Sequence, residues 1–233
     1  MTERHIVAMG GGALDADDAV FRHVMDLTGA SAPRVCYLAT ATGDDPASIV
    51  NFYRAFPAPR FRPTHLPLFD RSGDPIDEIL LDQDAVVVAG GNTANLLAIW
   101  RLHGVDEALR AAWHAGVVLC GASAGANCWF EASTTDSFGP TLHPLDDGLA
   151  FLPGSFSPHY DSEDQRRPLF QRLIASGFLE GYAADDFAAA HFVGTGLAGA
   201  IASRESAHVY RVERPSDGTV TETVIAKSSE HGP

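Results

Sequence analysis

Short segments rich in apolar residues alternate with longer stretches in which apolar residues return every three or four positions. HIVAMG (5–10), RVCYLAT (34–40), DAVVVAG (84–90) and GVVLCGAS (116–123) are of the first kind, and each ends in Gly, Ser or Thr. Unbroken apolar runs of this length predict strands buried on both faces, as in a parallel sheet. DADDAVFRHVMDLTG (15–29), PASIVNFYRAF (46–56) and NTANLLAIWRLHGVDEALRAAWHAG (92–116) are of the second kind and predict helices. Asp17 or Asp18 and Thr93 are candidate N-terminal caps, with Gly29 and Gly116 as candidate stops. Further on, PLFQRLIASGFL (168–179) predicts a helix, whereas GTGLAGAIAS (194–203), AHVYRVER (207–214) and TVTETVIAK (219–227) predict strands in an antiparallel finish. The tail, 228–233, is expected to fray.

No repeat, linker or low-complexity segment interrupts this order, so one domain spanning 1–233 is expected. Alternation of strands and helices predicts the α/β class, as a doubly wound three-layer sandwich with a mostly parallel sheet. In such sheets ligands bind at the carboxyl ends of the strands. Four strand ends carry small or polar clusters: GGG (10–12), ATATGDD (39–45), GGNT (90–93) and GASAG (121–125). A parallel sheet brings all four to one edge.

Composition narrows the partners. The chain is 233 residues long, 45% hydrophobic and carries a net charge of −14. Nucleic acid is not an expected partner, because phosphate binding needs a basic face. Cys36, Cys120 and Cys128 are odd in number and show no framework spacing, which suits a reducing cytoplasm. The start, MTERHIVAMGGG, has no basic leader before a long apolar region, and no apolar run is long enough for a membrane span. A cytoplasmic protein, monomer or homodimer, is the expectation. Neither HExxH nor CxxC occurs, so no metal or cofactor is expected.

GASAG matches G-x-S-x-G, the turn that lifts a nucleophilic serine off the end of a strand. A plain small-residue turn would carry the same five residues, but the position after VVLC and before a helical stretch favours Ser123 as a nucleophile. A serine needs a base. Among ten histidines, His159 lies in GSFSPHYDSEDQRR, a Pro-preceded loop that would present an imidazole, with His143 and His191 as competitors. The acid behind that base is open among Asp136 in STTDSFG, Asp161 beside the histidine, and the pair Asp185–Asp186 in GYAADDFAAA. GGNTANLL (90–97) offers free backbone N–H groups and a helix N-terminus at the same edge, with Asn92 and Thr93 as candidate substrate contacts. It lacks the Gly-Lys-Ser/Thr of a P-loop.

In order and spacing, GGNTANLL, GASAGAN, SPHY and the acid-acid segment resemble the peptidase E family, which includes aspartyl dipeptidases and cyanophycinase. The likeness covers roughly 90–200. It implies a glutamine-amidotransferase-like α/β fold, Ser123 as nucleophile, His159 as general base, and the N–H groups of Gly91 and Ala124 as an oxyanion hole. It points to Asp186 as the acid, with Asp185 and Asp136 as alternatives; the family commonly carries Glu there, one methylene longer. It also implies that an arginine after the histidine pairs with a substrate aspartate, and Arg166 or Arg167 falls in that region. Ala122 stands where aspartyl dipeptidases have a bulky aromatic, a departure that bears on the substrate. The expected activity is a serine peptidase acting on small peptides, an Asp-X dipeptidase being one form of it. The alternatives are a glutamine-amidotransferase-like domain with a thiol nucleophile, for which Cys120 is the nearest cysteine, and an inactive domain that binds a small ligand.

Overall fold

A computed structural model describes residues 3–71, 73–215 and 218–227. The expectation for the tail, 228–233, lies outside them. The chain forms β1 (His5–Met9), α1 (Ala19–Leu27), β2 (Arg34–Leu38), a 3-10 turn (Thr40–Thr42), α2 (Pro46–Ala55), β3 (Arg62–His65), α3 (Ile76–Leu81) and β4 (Ala85–Val88). There follow α4 (Thr93–His103), α5 (Val105–Ala115), β5 (Val118–Ala122), α6 (Ala124–Asn127), β6 (Phe130–Thr135), β7 (His143–Leu145) and β8 (Leu152–Ser157). The last third holds α7 (Arg166–Ala175), β9 (Gly181–Ala184), β10 (Ala188–Val193), β11 (Gly196–Ala202), β12 (Val209–Glu213) and β13 (Thr221–Val224).

The strands form two sheets, of mixed α/β architecture with the helices. The first has the order β11-β10-β1-β5-β4-β2-β3. From β1 to β3 its neighbours are parallel, while β10 and β11 are antiparallel. The four apolar runs read as buried strands are its centre. Successive side chains point to opposite faces, so β1 sends Ile6 and Ala8 to one core and Val7 and Met9 to another. The second core holds Phe21 and Val24 of α1 and Phe52 of α2, with Phe56 just beyond it. The first holds Leu80 of α3, Leu96 and Trp100 of α4, and Leu109 and Trp113 of α5. Helices therefore cover both faces. Trp100 is fully buried and its indole N–H donates to Thr40 Oγ1 at 3.0 Å. That bond ties α4 to the turn after β2.

Two local expectations need correction. The stretch 92–116 is two helices, because Gly104 adopts φ 71°, which ends α4 and begins α5. Apolar spacing continues across that break and so conceals it. The cap of α4 is Asn92, not Thr93: Asn92 Oδ1 accepts from the Asn95 N–H at 2.8 Å. Asp18 caps α1 through the Val20 N–H at 2.8 Å.

The second sheet has the order β13-β12-β9-β8-β6-β7, with β6, β8 and β9 parallel and the rest antiparallel. It packs on the first through Phe130, Phe156 and Val209, which share a core with Ile6, Leu38 and Val86. At the other end of β1, three histidines bridge α1 to the sheet. His191 Nε2 lies 3.1 Å from His5 Nδ1, and its Nδ1 lies 3.2 Å from His23 Nε2. No helix of the described residues is long and apolar enough to cross a membrane.

Candidate active site

Ser123 sits between the end of β5 and the first turn of α6, with φ 55° and ψ −115°. A side chain at positive φ with that ψ is strained, and such strain gathers at functional turns. The turn holds because its neighbours leave no alternative. A Cβ on Gly121 would lie less than 3.0 Å from the Gly125 backbone, and one on Gly125 would lie 2.5 Å from the Val88 carbonyl oxygen. Both glycines of GASAG are thus required by close backbone approach. The Ser123 N–H donates to the Met9 carbonyl at 3.2 Å, which fixes the turn against the end of β1.

The strand ends do meet. Gly91, at φ 138°, lies against the Ala41 backbone so closely that any side chain would collide with it. The Asn92 N–H donates to the Ala41 carbonyl at 2.8 Å. A Cβ on Gly90 would come 3.2 Å from Ser123 Cβ, and one on Gly11 would come 2.6 Å from His159 Nδ1. GGG, GGNT and GASAG thus border one space, with ATAT packed behind Gly91. A cavity of about 240 Å³ opens there, bounded by Ser123, His159, Gly11, Gly90 and Gly91 and floored by Met9, Leu14, Phe21 and Val87.

His159 also has positive φ, 51°. Its N–H donates to the Gly10 carbonyl at 3.2 Å, and its Nδ1 lies 2.7 Å from Asp186 Oδ1. A carboxylate can only accept, so this contact places the proton on Nδ1 and leaves the Nε2 lone pair free for another partner. Gly11 and Asp186 form a bridge between the two segments. The Asp186 N–H donates to Asp161 Oδ1 at 2.8 Å, so Asp161 steadies the acidic loop without touching the imidazole through any bond seen here.

The other acids lie elsewhere. Asp185 is 2% exposed, and its Oδ2 accepts from the His208 N–H at 2.9 Å and the Tyr210 hydroxyl at 3.2 Å. Burial pushes its carboxyl above the usual carboxylate range. The adjacent acids are thus split, Asp186 to the histidine and Asp185 to β12. Asp136 is exposed and its carbonyl accepts from the Gly139 N–H in a turn.

The candidate substrate contacts are more tied down than the sequence suggests. Arg166 is 2% exposed. Its Nε donates to Glu163 Oε2 at 2.7 Å, and its Nη1 donates to the Thr134 carbonyl and hydroxyl at 2.6 and 3.1 Å. Thr134 in turn bonds Ser157 at 2.8 Å, two residues before His159. Arg167 instead grips Glu222 of β13, which also accepts from the Tyr160 hydroxyl and from Gln171 Nε2. Asn92 Nδ2 donates to the Ser137 carbonyl at 2.9 Å, and Thr93 Oγ1 accepts from Asn127 Nδ2 at 3.3 Å. His143 lies on β7 and His191 in the histidine bridge of β10.

The cavity floor is what sequence reading missed. Met9, Leu14, Phe21 and Val87 come from four separated segments, and each alone reads as ordinary core. Ala124 follows Ser123 as the first residue of α6. Cys120 is buried on β5, three residues before Ser123, and burial pushes its thiol up to about 12. A thiolate there is strongly disfavoured, so Cys120 is a poor nucleophile. Among the described residues no group of three or more His, Cys, Asp or Glu could hold a metal ion.

Comparison with known proteins follows the same lines. A relative from Bacillus subtilis (strain 168), named as the uncharacterized peptidase YgaJ, is 45% identical over 213 residues, or 90% of this chain and 92% of its own. The peptidase E of Streptomyces coelicolor is 37% identical over 93 residues, 40% of this chain and 38% of that one. A crystal structure of a peptidase from an acI-B1 actinobacterium superposes with a TM-score of 0.71 at 15% identity, covering 97% of this chain and 96% of the other. A second, of a putative peptidase E protein from Listeria monocytogenes EGD-e, gives 0.62 at 18% identity, covering 86% and 99%. These two show likeness of fold. The model of peptidase family S51 matches residues 6–199. With most of its length matched in this way, the chain belongs to peptidase family S51, whose reaction class is the hydrolysis of peptide bonds.

Proposed function

We propose that the chain is a serine peptidase that cleaves small peptides through an acyl-enzyme, with Ser123, His159 and Asp186 as its triad. The observation that carries this reading is the 2.7 Å contact of His159 Nδ1 with Asp186 Oδ1, at a cavity that His159 shares with the strained Ser123.

Ser123 Oγ attacks the scissile carbonyl carbon, and its proton passes to His159 Nε2. Asp186 stays ionised, holds the imidazole in the Nδ1–H form and stabilises the imidazolium. The carbonyl oxygen becomes an oxyanion, which the N–H groups of Gly91 and Ala124 receive. The C–N bond breaks as His159 returns the proton to the leaving amine. A water, deprotonated by the same nitrogen, then attacks the ester, and the acid product leaves with Ser123 restored.

Helices on both faces of the seven-stranded sheet support the doubly wound, glutamine-amidotransferase-like sandwich, with the whole chain as one unit. Three free, buried cysteines support a reducing, cytoplasmic setting. An Asp-X preference would draw on Arg166 or Arg167, whose guanidinium groups are already engaged by Glu163 and Thr134 and by Glu222. The test is labelling of Ser123 by a fluorophosphonate together with assay of a dipeptide and tripeptide panel. Turnover that is lost in Ser123→Ala is the expected result, and full peptidase activity in Ser123→Ala would overturn the mechanism.

A further inference from the structure

We infer that the cavity beside Ser123 receives an uncharged, apolar side chain flanking the scissile bond, so that apolar peptides are preferred to aspartyl ones. This rests on the serine-peptidase reading and names the substrate class that the same site takes. The lining supplies the argument. Met9, Leu14, Phe21 and Val87 give the space an apolar floor, and neither Lys nor Arg is among the residues that line it. A carboxylate entering it gives up its hydration and meets neither a lysine nor an arginine. An apolar side chain gains from the same burial. At about 240 Å³ the cavity falls below the range of drug-sized pockets, roughly 300–1,000 Å³, and suits a single side chain.

The surroundings point the same way. Asp186 and Asp161 stand next to His159, and the whole chain carries a net charge of −14. An acidic substrate is repelled by that field. Arg166 cannot turn to a substrate without stripping Glu163 of its partner and leaving the Thr134 carbonyl to Asn127 alone. Its buried bonds make it a strut between α7 and β6. Ala122 lines the cavity with only a methyl group, and a larger residue at that position would occupy the space.

The experiment compares two fluorophosphonates with the same leaving group, one with a butyl chain and one with a carboxypropyl chain, each rate normalised to its hydrolysis in buffer. The butyl probe is expected to label Ser123 at least tenfold faster. Peptides flanked by Leu, Val or Phe are expected to exceed Asp-flanked ones in kcat/KM by a similar factor. Leu14→Arg, a change in a half-buried loop residue, is expected to bring the probe ratio toward one by supplying a cation. Ala122→Phe is expected to slow the butyl probe more than a third, methyl fluorophosphonate with the same leaving group. Equal or faster labelling by the carboxylate probe, or better turnover of Asp-flanked peptides, overturns the inference and leaves the peptidase reading standing. A tenfold butyl preference without hydrolysis of any peptide keeps the cavity assignment and overturns the peptidase reading. Failure of both probes to label Ser123 overturns both.

Discussion

Asp186 reaches His159 across 2.7 Å, while its neighbour Asp185 turns the opposite way to the His208 N–H and the Tyr210 hydroxyl of β12. Two adjacent carboxylates therefore have different tasks, set by the alternation of a chain leaving β9. Asp186→Asn is expected to lower kcat by about 10²–10⁴, because an amide can donate to Nδ1 and favour the wrong tautomer. Asp136→Ala, at an exposed turn, is expected to stay within a few-fold of wild type. Steady-state kinetics on any turned-over peptide decides between them, and a large loss in Asp136→Ala with an active Asp186→Asn would reverse the assignment.

The strain at Ser123 has a stability signature. Its φ of 55° and ψ of −115° suit glycine far better than any L side chain. Strain of roughly 1–3 kcal/mol is relieved in Ser123→Gly, against about 0.5–1 kcal/mol of added chain entropy in the unfolded state. Ser123→Gly is thus expected to be more stable than Ser123→Ala by about 1 kcal/mol, although both lack the hydroxyl. Urea denaturation of the pair measures the difference, and an equal or lower midpoint for the glycine variant would refute it.

The histidine bridge makes the fold acid-sensitive. Burial, and then the nearby His23 and His5, pull the His191 imidazole from 6.5 to about 4. Burial also lowers His5, despite Glu3, and His23, despite Asp26. Arg22 and Arg4 are the remaining charged neighbours in sequence on α1 and before β1, and β11 carries no titratable group. The unfolded chain binds protons first, so stability is full above about pH 6.5 and falls as the pH drops toward 4. His191 alone contributes of the order of 2–3 kcal/mol to that fall. His191→Phe is expected to be less stable at pH 8, with His5 Nδ1 and His23 Nε2 deprived of that partner, yet to show a flatter pH dependence between 6.5 and 4. Denaturation midpoints across that range test it, and an unchanged slope would count against the bridge.

Glu222 accepts from the Tyr160 hydroxyl, from Gln171 and from Arg167. Glu222→Ala strands the buried Tyr160 hydroxyl and is expected to cost about 1–3 kcal/mol. Tyr160→Phe with Glu222→Ala should recover part of it, and thermal unfolding of the single and double variants reads the coupling. Strict additivity would show that the two groups do not act as one.

The centre of the first sheet was legible because its strands are buried on both faces and therefore apolar throughout. GASAG was legible because close backbone contacts at Gly121 and Gly125 admit no side chain. The second sheet was only partly so. FEASTT of β6 and LPGSFS of β8 carry buried hydroxyls that satisfy Arg166, Leu179 and one another, which spoils the hydropathy pattern. RPTH of β3 is an edge strand with almost no apolar residue and gave no signal. The acid could not be chosen from the residues alone, since Asp136, Asp161, Asp185 and Asp186 differ only in where the fold aims them. The cavity floor was hidden for the same reason.

Glu222 lies on β13, beyond residue 199, where the match to the family model ends. It nevertheless grips Tyr160, the residue after His159, and with Arg167 and Gln171 it straps α7 across the same end. The span matched by the family model is therefore not the part that can be cut out and used. A fragment trimmed to 6–199 would keep Ser123, His159 and Asp186 and lose the clasp behind His159, so expression boundaries for this chain belong past β13.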